Sequence, residues 1–514
     1  MNATALGETA RARNSWVCRT LYSKNRMEAG EESQLARQSP RGNRSGRRIA
    51  GLAIAPALLA GLALRLWMLR TVFEVNGDSL IYGGLAKNLL LYGGYDLTTG
   101  SGIMYPTLIR LPGYPIFLAV CFRLFGMENY YSAACVQIGI DLLTCLIVAD
   151  FARRIAPAGL GRGAALATLW LAVLCPFTAS YTAEPLTETL TLFVLALAMW
   201  AMARFRDEAS WVNALWFTFA VSYAALLRPD GALAGVAFAP AIFIGLGAVR
   251  WSSVRSRRVA RMAAVCVLLA LAPFVIWTAR NWSVFHVFEP LAPRLATDPG
   301  ESSNPGWERW VKSWCLDYIS TYEIYWNVPG DTLDVTELPS RAFDSPAQYE
   351  ETAALAADYN DHGMELTQAI DARFGRLADE RIAARPLQSY VWLPLGRLAD
   401  MWLRPRVEDL DIDLDWWVYS HHRAETRFCW AYAALNVVYL GLGIVGVFLR
   451  PRFWGALLAY IVLRSVLLLT IEAPETRYTL ECFPMLFACG GVAVAWMIGL
   501  RRNRSGSVES SFRG

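Results

Sequence analysis

The chain has 514 residues, of which 55% are hydrophobic and only 18% are charged. Soluble domains usually carry about 25% charged residues, so this composition excludes an ordinary soluble enzyme and also a disordered chain. The formal net charge is +4, which leaves no large basic excess for a nucleic-acid groove. Ten cysteines occur without CxxC or Cys/His metal spacing, so neither a disulfide framework nor a zinc site is predicted.

Residues 1–48 are polar, rich in arginine and not periodic. They contain no apolar core of the signal-peptide type, and we expect a disordered cytoplasmic tail. The rest of the chain contains ten apolar runs long enough to cross a bilayer, which takes roughly 17–25 residues. These predicted spans are 49–69, 130–150, 163–180, 186–203, 211–227, 231–249, 262–279, 427–449, 453–471 and 480–499.

Two further segments, 112–126 and 386–403, are short or amphipathic, and we expect both to lie at the membrane interface. With both segments outside the membrane, the loops on one side collect the arginines, and the positive-inside rule makes that side cytoplasmic. These loop arginines are Arg153, Arg154, Arg162, Arg204, Arg206, Arg250, Arg255, Arg257, Arg258, Arg261, Arg450, Arg452, Arg501, Arg502 and Arg504. The predicted outer segments are 70–129, 181–185, 228–230, 280–426 and 472–479.

The spans and loops predict an all-α polytopic membrane protein with several parts. A transmembrane module, 49–279, contains the first outer loop 70–129, and further spans over 427–499 lead to a cytoplasmic tail, 500–514. Between the two sets of spans lies a mixed extracytoplasmic domain, 280–426. Its stretch 294–415 holds 23 acidic and 11 basic residues, a formal −12 against +16 for the rest of the chain.

Carboxylates collect at the outer ends of the predicted spans. Asp78 follows the first span and is either a helix N-cap or a functional acid. Glu184 and Glu188 lie at the outer mouth of a helix hairpin, with Glu188 in the first turn of a span. There it either compensates the helix dipole or serves a functional site, because a carboxylate in a membrane is costly without a partner.

Arginines lie on the same predicted face. Arg110 precedes a Pro-Gly-Tyr-Pro sequence, and Arg280 ends a span, where it is either a snorkelling anchor or a ligand-binding cation. Arg477 either binds a phosphate or pairs with Glu475. Arg228 belongs to an Arg-Pro-Asp-Gly sequence that a tight turn alone explains. Carboxylates beside arginines suit acid–base chemistry next to an anion, and a lipid phosphate is the natural anion at that depth.

The sequence resembles the polytopic GT-C glycosyltransferases of the bacterial protein O-mannosyltransferase-like group. That group includes the aminoarabinose transferase of lipid A and the galacturonic acid transferases of lipopolysaccharide. The resemblance covers about residues 50–500 and depends on the order of five stretches. These are Asp78 with Tyr82 and Ala86-Lys87-Asn88, Arg110-Leu-Pro-Gly-Tyr-Pro with Leu124-Phe-Gly126, Thr187-Glu188-Thr-Leu, Arg228-Pro-Asp-Gly, and Arg280-Asn281 with Arg477-Tyr478 and Pro484.

The resemblance implies sugar transfer from a polyprenyl-phosphate donor to a glycan, lipid or protein acceptor, outside the cytoplasm and with inversion. Asp78 would be the general base, and Glu188 a second acid that binds the acceptor or a metal. The donor phosphate would bind Arg110, Arg280 and Arg477. The further substrate contacts would be Tyr82, Lys87, Glu184 and Tyr478.

Many members of the group carry an adjacent acidic pair in the first outer loop, whereas Ser79 follows Asp78 in this chain. The resemblance therefore leaves a divalent metal open without assigning its ligands. The expected location is the inner (plasma) membrane. The alternative function is a secondary transporter or flippase, in which acids and arginines form a pathway for a lipid-linked or anionic substrate. A third interpretation is a non-catalytic scaffold that has kept the fold.

Overall fold

The computed structural model describes residues 44–243, 254–293, 296–301, 303–410, 412–417 and 423–511. Internal contacts divide the chain into two units, Met1–Pro56 and Ala57–Gly514. Most of the predicted tail 1–48 lies outside the described residues. Helices extend into both predicted tails, starting at Arg44 and ending at Ser511.

The described chain is almost entirely helical. Its first ten helices are α1 (Arg44–Thr71), α2 (Gly77–Tyr92), α3 (Gly113–Phe125), α4 (Tyr130–Ile155), α5 (Gly161–Val173), α6 (Pro176–Ser180), α7 (Glu188–Asp207), α8 (Trp211–Leu227), α9 (Leu233–Phe243) and α10 (Val254–Phe285). The later helices are α11 (Pro305–Lys312), α12 (Pro346–Asp361), α13 (Gln368–Ala384), α14 (Leu393–Leu403), α15 (Arg423–Phe448), α16 (Trp454–Leu468) and α17 (Phe483–Ser511). Short α, 3-10 and π turns cover Pro229–Ala232, Tyr318–Ser320, Thr321–Tyr325, Ser340–Ala342, Gln388–Trp392 and Thr476–Cys482.

Six helices of the described chain are long and apolar enough to cross a membrane, and five shorter helices are also apolar. The long ones are Ala53–Thr71, Tyr130–Ile155, Glu188–Asp207, Arg258–Phe285, Arg423–Phe448 and Thr476–Leu500. The shorter ones are Gly113–Phe125, Gly161–Val173, Trp211–Leu227, Pro229–Ile242 and Trp454–Leu468. Ten of these eleven coincide with the predicted spans, and the other is the predicted interface segment 112–126. The chain is therefore a multi-pass membrane protein, and the predicted helical fold class is confirmed.

The predicted span 163–180 is interrupted in the structure. Helix α5 ends at Val173, and Pro176 starts the separate helix α6. Proline has no backbone N–H to continue an α-helix but fits well at the first helical position. The segment that follows, 181–187, contains Glu184 and leads into α7, which begins at Glu188.

Close helix packing in the bundle depends on small residues, as is typical of membrane proteins. Gly446 of α15 lies against α17, where an added Cβ would come within 2.0 Å of the carbonyl oxygen of Cys489. Gly491 of α17 lies against α5, where an added Cβ would come within 1.9 Å of Thr168 Oγ1. Larger residues at these two glycines would push the helices apart.

A charged pair that the sequence analysis did not predict is buried between the first two long helices. Arg65 of α1 is fully buried and donates from Nε to Asp141 of α4 at 2.6 Å. It also donates to the carbonyl oxygens of Gly61 and Val173 at 3.0 and 2.8 Å. Because a lone charge in the bilayer is strongly unfavourable, this pair fixes α1 and α4 in one register.

The first outer loop consists of helix α2 and a small hairpin. Helix α2 buries Tyr82, Leu85 and Ala86. Strands β1 (Asp96–Thr98) and β2 (Met104–Pro106) pair antiparallel.

The described part of the outer domain 280–426 contains helices and turns but no strand. It has its own core, in which the ring of Phe374 contacts Trp307 and Trp310. In helix α14 the buried Arg397 donates to the carbonyl oxygens of Lys312 and Cys315. The preceding turn exposes Tyr390 and Trp392, in line with the amphipathic character predicted for 386–403.

Candidate functional site

Asp78 lies in the first turn of α2 and forms ion pairs with two arginines. The helix starts at Gly77, whose φ of 43° is a left-handed conformation that favours glycine. The N-cap residue is Asn76, so the N-cap interpretation of Asp78 is wrong. Its Oδ1 instead accepts from Arg110 Nη2 at 2.7 Å, and its Oδ2 is 3.6 Å from Arg477 Nη2.

The two arginines determine the charge state of Asp78. Burial alone would raise the pKa of this carboxyl, but the positive charges of Arg110 and Arg477 outweigh burial and lower the pKa below its usual value. Asp78 is therefore ionised at neutral pH. Burial, reinforced by the charge of Asp78, raises the pKa of Tyr82 to about 12. Tyr82 thus places a neutral phenol beside the carboxylate.

The backbone around Arg110 is held by Arg280. Arg280 donates to the carbonyl oxygens of Thr107 and Tyr95 at 2.8 and 2.9 Å. The hydroxyl of Tyr95 in turn donates to the carbonyl oxygen of Arg110 at 3.0 Å. Arg280, predicted as a phosphate ligand, contacts the backbone of the first outer loop. Among the described residues, the structure shows no ion pair between it and Asp78.

Arg477 is held by a second carboxylate as well as by Asp78. Its Nε is 2.5 Å from Glu475, and the hydroxyl of Tyr478 also donates to Glu475. The ring of Tyr478 lies under the guanidinium groups of Arg477 and Arg228, at 5.7 and 5.5 Å. The sequence analysis left either a phosphate or Glu475 as the partner of Arg477. The structure shows the pair with Glu475, and Arg477 also faces Asp78.

A second group of ion pairs surrounds Arg228, whose guanidinium group also lies over the ring of Tyr478. Arg228 is 3.1 Å from Glu188, 3.3 Å from Glu481 and 3.5 Å from Asp230. Arg464 is 3.0 Å from Glu481 and also pairs with Asp230. Glu188 and Glu481 are each only 4% exposed. Because a buried carboxylate without a counter-charge destabilises the fold, these two acids depend on their arginine partners.

Of this second group, sequence reasoning assigned only Glu188 to the site. It attributed Arg228 and Asp230 to a tight turn and did not single out Arg464 or Glu481. Arg464 lies within a predicted span and Glu481 within the first turns of another, and a charge at such a position is by itself a signal of function.

Glu184 has a different kind of partner, the carboxyl group of Asp409. The two side chains hydrogen-bond to each other, which requires that they share a proton. Burial and the proximity of Asp409 raise the pKa of Glu184 well above its usual value. The main chain of Glu184 is fixed by Gln137, whose amide donates to its carbonyl oxygen at 2.7 Å. Asp409 comes from the acidic outer segment, and the sequence analysis did not identify it.

Lys87 lies at the surface. Its Nζ is 3.0 Å from Glu128, and its side chain is 39% exposed. Within the described chain, no group of three or more His, Cys, Asp or Glu side chains is arranged to hold a metal ion.

The fold and site together define a multi-pass membrane protein whose loops form a charged site of arginines and carboxylates. Residues 110–277 match the family model described as dolichyl-phosphate-mannose-protein mannosyltransferase. This match covers about a third of the chain and agrees with the resemblance to GT-C glycosyltransferases. No curated protein sequence matches the chain significantly.

Solved structures of low sequence identity are also similar to the chain. The oligosaccharyltransferase of Archaeoglobus fulgidus with a tethered acceptor peptide has 12% identity and a TM-score of 0.46, over 86% of this chain and 49% of that one. The archaeal oligosaccharyltransferase AglB with an inhibitory peptide and a dolichol-phosphate has 12% identity and a TM-score of 0.46, over 91% and 52%. ArnT from Cupriavidus metallidurans bound to undecaprenyl phosphate has 16% identity and a TM-score of 0.37, over 88% and 77%. The chain spans about half the length of the oligosaccharyltransferases.

Proposed function

We propose that this protein is an inverting glycosyltransferase of the inner membrane. It transfers a hexosyl or pentosyl group from a polyprenyl-phosphate donor to a glycan, lipid or protein acceptor on the extracytoplasmic side. The observation that carries the proposal is the position of Asp78. It is an ionised carboxylate, 28% exposed, beside the partly exposed guanidinium groups of Arg110 and Arg477. An acid next to two such cations matches the needs of a base acting beside a phosphate leaving group.

In the proposed reaction, Asp78 accepts the proton of the acceptor hydroxyl as its oxygen attacks the anomeric carbon of the donor. The bond between that carbon and the phosphate oxygen breaks on the opposite face, and the phosphate leaves with the bonding electron pair. A new carbon–oxygen bond to the acceptor forms, and the configuration inverts. Arg110 and Arg477 stabilise the negative charge that develops on the departing lipid phosphate.

The other site residues have assigned places in the proposal. Glu188 is the second acid on the acceptor side, close enough to Tyr82 and Arg477 to influence both electrostatically. Tyr82 and Tyr478 line the sugar position between the two groups of ion pairs. Arg280 acts on the phosphate through the loop that carries Arg110, whereas Lys87 pairs with Glu128 and Glu184 with Asp409, and neither is given a direct contact with the donor phosphate.

The test is the envelope glycan of a deletion strain complemented with wild type or with Asp78→Asn. The variant removes the base and keeps nearly the same volume, so we expect the glycan product to fall by about 100-fold or more. The matched control is Glu128→Gln, which neutralises an exposed carboxylate on the same outer loop. Restoration of the product by Asp78→Asn at near-normal levels contradicts the general-base role.

Reporter fusions after Glu128 and after Gly159 test the proposed orientation. We expect the first reporter outside the cytoplasm and the second inside it, because the arginine-rich loops should remain cytoplasmic. An extracytoplasmic reporter after Gly159 contradicts the placement of Asp78 and Glu188 on the outer face.

A further inference from the structure

Both oxygens of the Asp78 carboxylate are engaged by cations. Oδ1 accepts the 2.7 Å hydrogen bond from Arg110, and Oδ2 faces Arg477 at 3.6 Å. A general base needs a lone pair that can reach the acceptor hydroxyl, and a carboxylate bonded to guanidinium groups is a poor proton acceptor. Asp78 must therefore lose one of these partners before it can act in the proposed reaction.

The two arginines differ in what else holds them. Arg477 has a closer carboxylate partner in Glu475, at 2.5 Å, and that residue is only 7% exposed. Arg110 has Asp78 as its carboxylate, and its other hydrogen bond is to the carbonyl oxygen of Ile109 at 3.2 Å. Arg110 is thus the cation that can change partners without leaving a buried carboxylate unpaired, since Asp78 is 28% exposed.

The surroundings of Arg110 allow its side chain to move without its backbone. Tyr95 holds the carbonyl oxygen of Arg110. Two residues upstream, Leu108 N–H donates to Asp298 Oδ1 at 2.7 Å, and the carbonyl of Thr107 accepts from Arg280. The guanidinium itself is 23% exposed. A change of partner at this position is therefore a side-chain rotation on a fixed loop.

We propose that the Asp78–Arg110 ion pair is a latch that the donor phosphate opens. The phosphate takes Arg110 from Asp78, and the carboxylate becomes free to accept a proton only when the donor is bound. The inference rests on the proposed function, and it adds that donor binding controls when Asp78 can act as the base. The donor phosphate is a phosphodiester with one negative charge, and it can compete for Arg110 because its two non-bridging oxygens match the two-pronged geometry of a guanidinium group. Donor binding then precedes activation of the acceptor.

A double-mutant cycle on phosphate binding tests the latch. The probe is undecaprenyl phosphate binding to the purified full chain in lipid nanodiscs, with inorganic phosphate as a second probe. Arg110→Met should weaken binding of the lipid phosphate by about tenfold or more, because a charge-assisted bidentate contact is lost. Asp78→Asn should tighten it by about threefold to tenfold, because the competitor for Arg110 is removed.

The decisive comparison is the double variant. If Asp78 competes with the phosphate for Arg110, Asp78→Asn has no effect on affinity in the Arg110→Met background. If Asp78 merely repels the phosphate at a distance, the gain persists in that background, and this outcome overturns the latch. Glu128→Gln should leave both affinities unchanged. Asp78→Ser repeats the cycle if the melting temperature shows that Asp78→Asn does not fold.

The latch and the proposed function fail in different ways. Unchanged binding of undecaprenyl phosphate in both Arg110→Met and Arg477→Met contradicts the donor site itself. Weaker binding in those variants without a gain in Asp78→Asn leaves the donor site in place and overturns the latch. Each variant should change the affinity for inorganic phosphate in the same direction as the affinity for the lipid phosphate. Inorganic phosphate should bind more weakly throughout, because it lacks the prenyl chain. Binding of inorganic phosphate alone, with no lipid phosphate bound, overturns both.

Discussion

Asp78 and Glu184 are both acids in loops of the same predicted face, and their surroundings are opposite. Asp78 lies between Arg110 and Arg477, which lower its pKa despite burial. Glu184 hydrogen-bonds another carboxyl group, Asp409, and burial first and that neighbour second raise its pKa. One acid is held as an anion, and the other shares a proton with its partner.

Arg477 connects the two environments and shows why they differ. Its charge favours the ionised form of both acids. At Asp78 it acts together with Arg110, and the two cations prevail over burial. At Glu184 burial and the negative Asp409 prevail over the single, more distant cation. The number of cations per carboxylate therefore decides which acid carries charge.

This difference suggests a division of labour. In the proposed mechanism the anionic Asp78 acts on the acceptor, because Arg110 releases it when that arginine binds the donor phosphate. The protonated pair joins the loop after α6 to the acidic outer segment and suits a structural contact that needs no counter-ion. Four variants test this division.

The largest expected effect is on Arg228→Met, which removes the cation shared by Glu188 and Glu481. Both carboxylates are almost fully buried, so leaving them with fewer partners should destabilise the fold by about 3–5 kcal/mol. Thermal unfolding of the detergent-solubilised protein measures the change. The control is Arg153→Met, whose side chain is 48% exposed beside Asp150. A melting temperature of Arg228→Met as high as that of the control would show that the buried group is not held by this cation.

Arg280→Met should have the next largest effect, because it removes two charge-assisted hydrogen bonds to the backbone of the first outer loop. We expect a loss of about 1.5–3 kcal/mol in stability. We also expect weaker binding of undecaprenyl phosphate, since the loop that presents Arg110 is released. Arg280→Lys should restore part of the stability and little of the binding. If Arg280→Met binds the lipid phosphate normally at a temperature where it is folded, the positioning role is wrong.

Glu184→Gln tests the proton-sharing pair through pH. The pKa of Glu184 is raised in the folded protein, so the pair stabilises the fold fully below the ordinary value of about 4.5. That stabilisation is lost as the pH rises through the raised value. We expect the wild-type melting temperature to fall as the pH rises from about 4.5 through the raised pKa of Glu184.

In Glu184→Gln an amide group replaces the protonated carboxyl group. Its NH2 can donate a hydrogen bond to Asp409 at any pH. The decline of the melting temperature with pH should therefore become shallower. Asp409→Asn is the matched variant from the other side of the pair, and it should behave in the same way. A decline as steep as that of the wild type in both variants would exclude the pair as its cause.

The helices were predictable because a bilayer demands long apolar segments that satisfy their own backbone hydrogen bonds. The charges at the outer ends of the spans also made Asp78, Arg110, Glu188 and Arg477 candidates for the site, since charges at such positions are costly without a use. The partners were not predictable. Arg464 and Asp230, and likewise Glu184 and Asp409, are about two hundred residues apart in the chain, and only the packing of distant helices and loops brings them together.

The interruption at Leu174–Cys175 shows a second limit. Hydropathy treats 163–180 as one apolar run, although Pro176 marks the break. The backbone role of Arg280 could not be predicted either, because a cation at a span end looks the same whether it binds a ligand or a carbonyl oxygen. The donors of Arg280 are used by Thr107 and Tyr95, which the sequence places far from it.

Lys87→Met should have the smallest effect and separates surface charge from site charge. Lys87 pairs with Glu128 in an exposed position, and such pairs contribute roughly 0–1 kcal/mol because water and salt screen them. If the donor phosphate is bound by Arg110 and Arg477, loss of this lysine should change undecaprenyl phosphate affinity by less than about threefold. A loss as large as that in Arg110→Met would instead place Lys87 at the phosphate. Lys87 would then have to be added to Arg110 and Arg477 as a cation of the donor site.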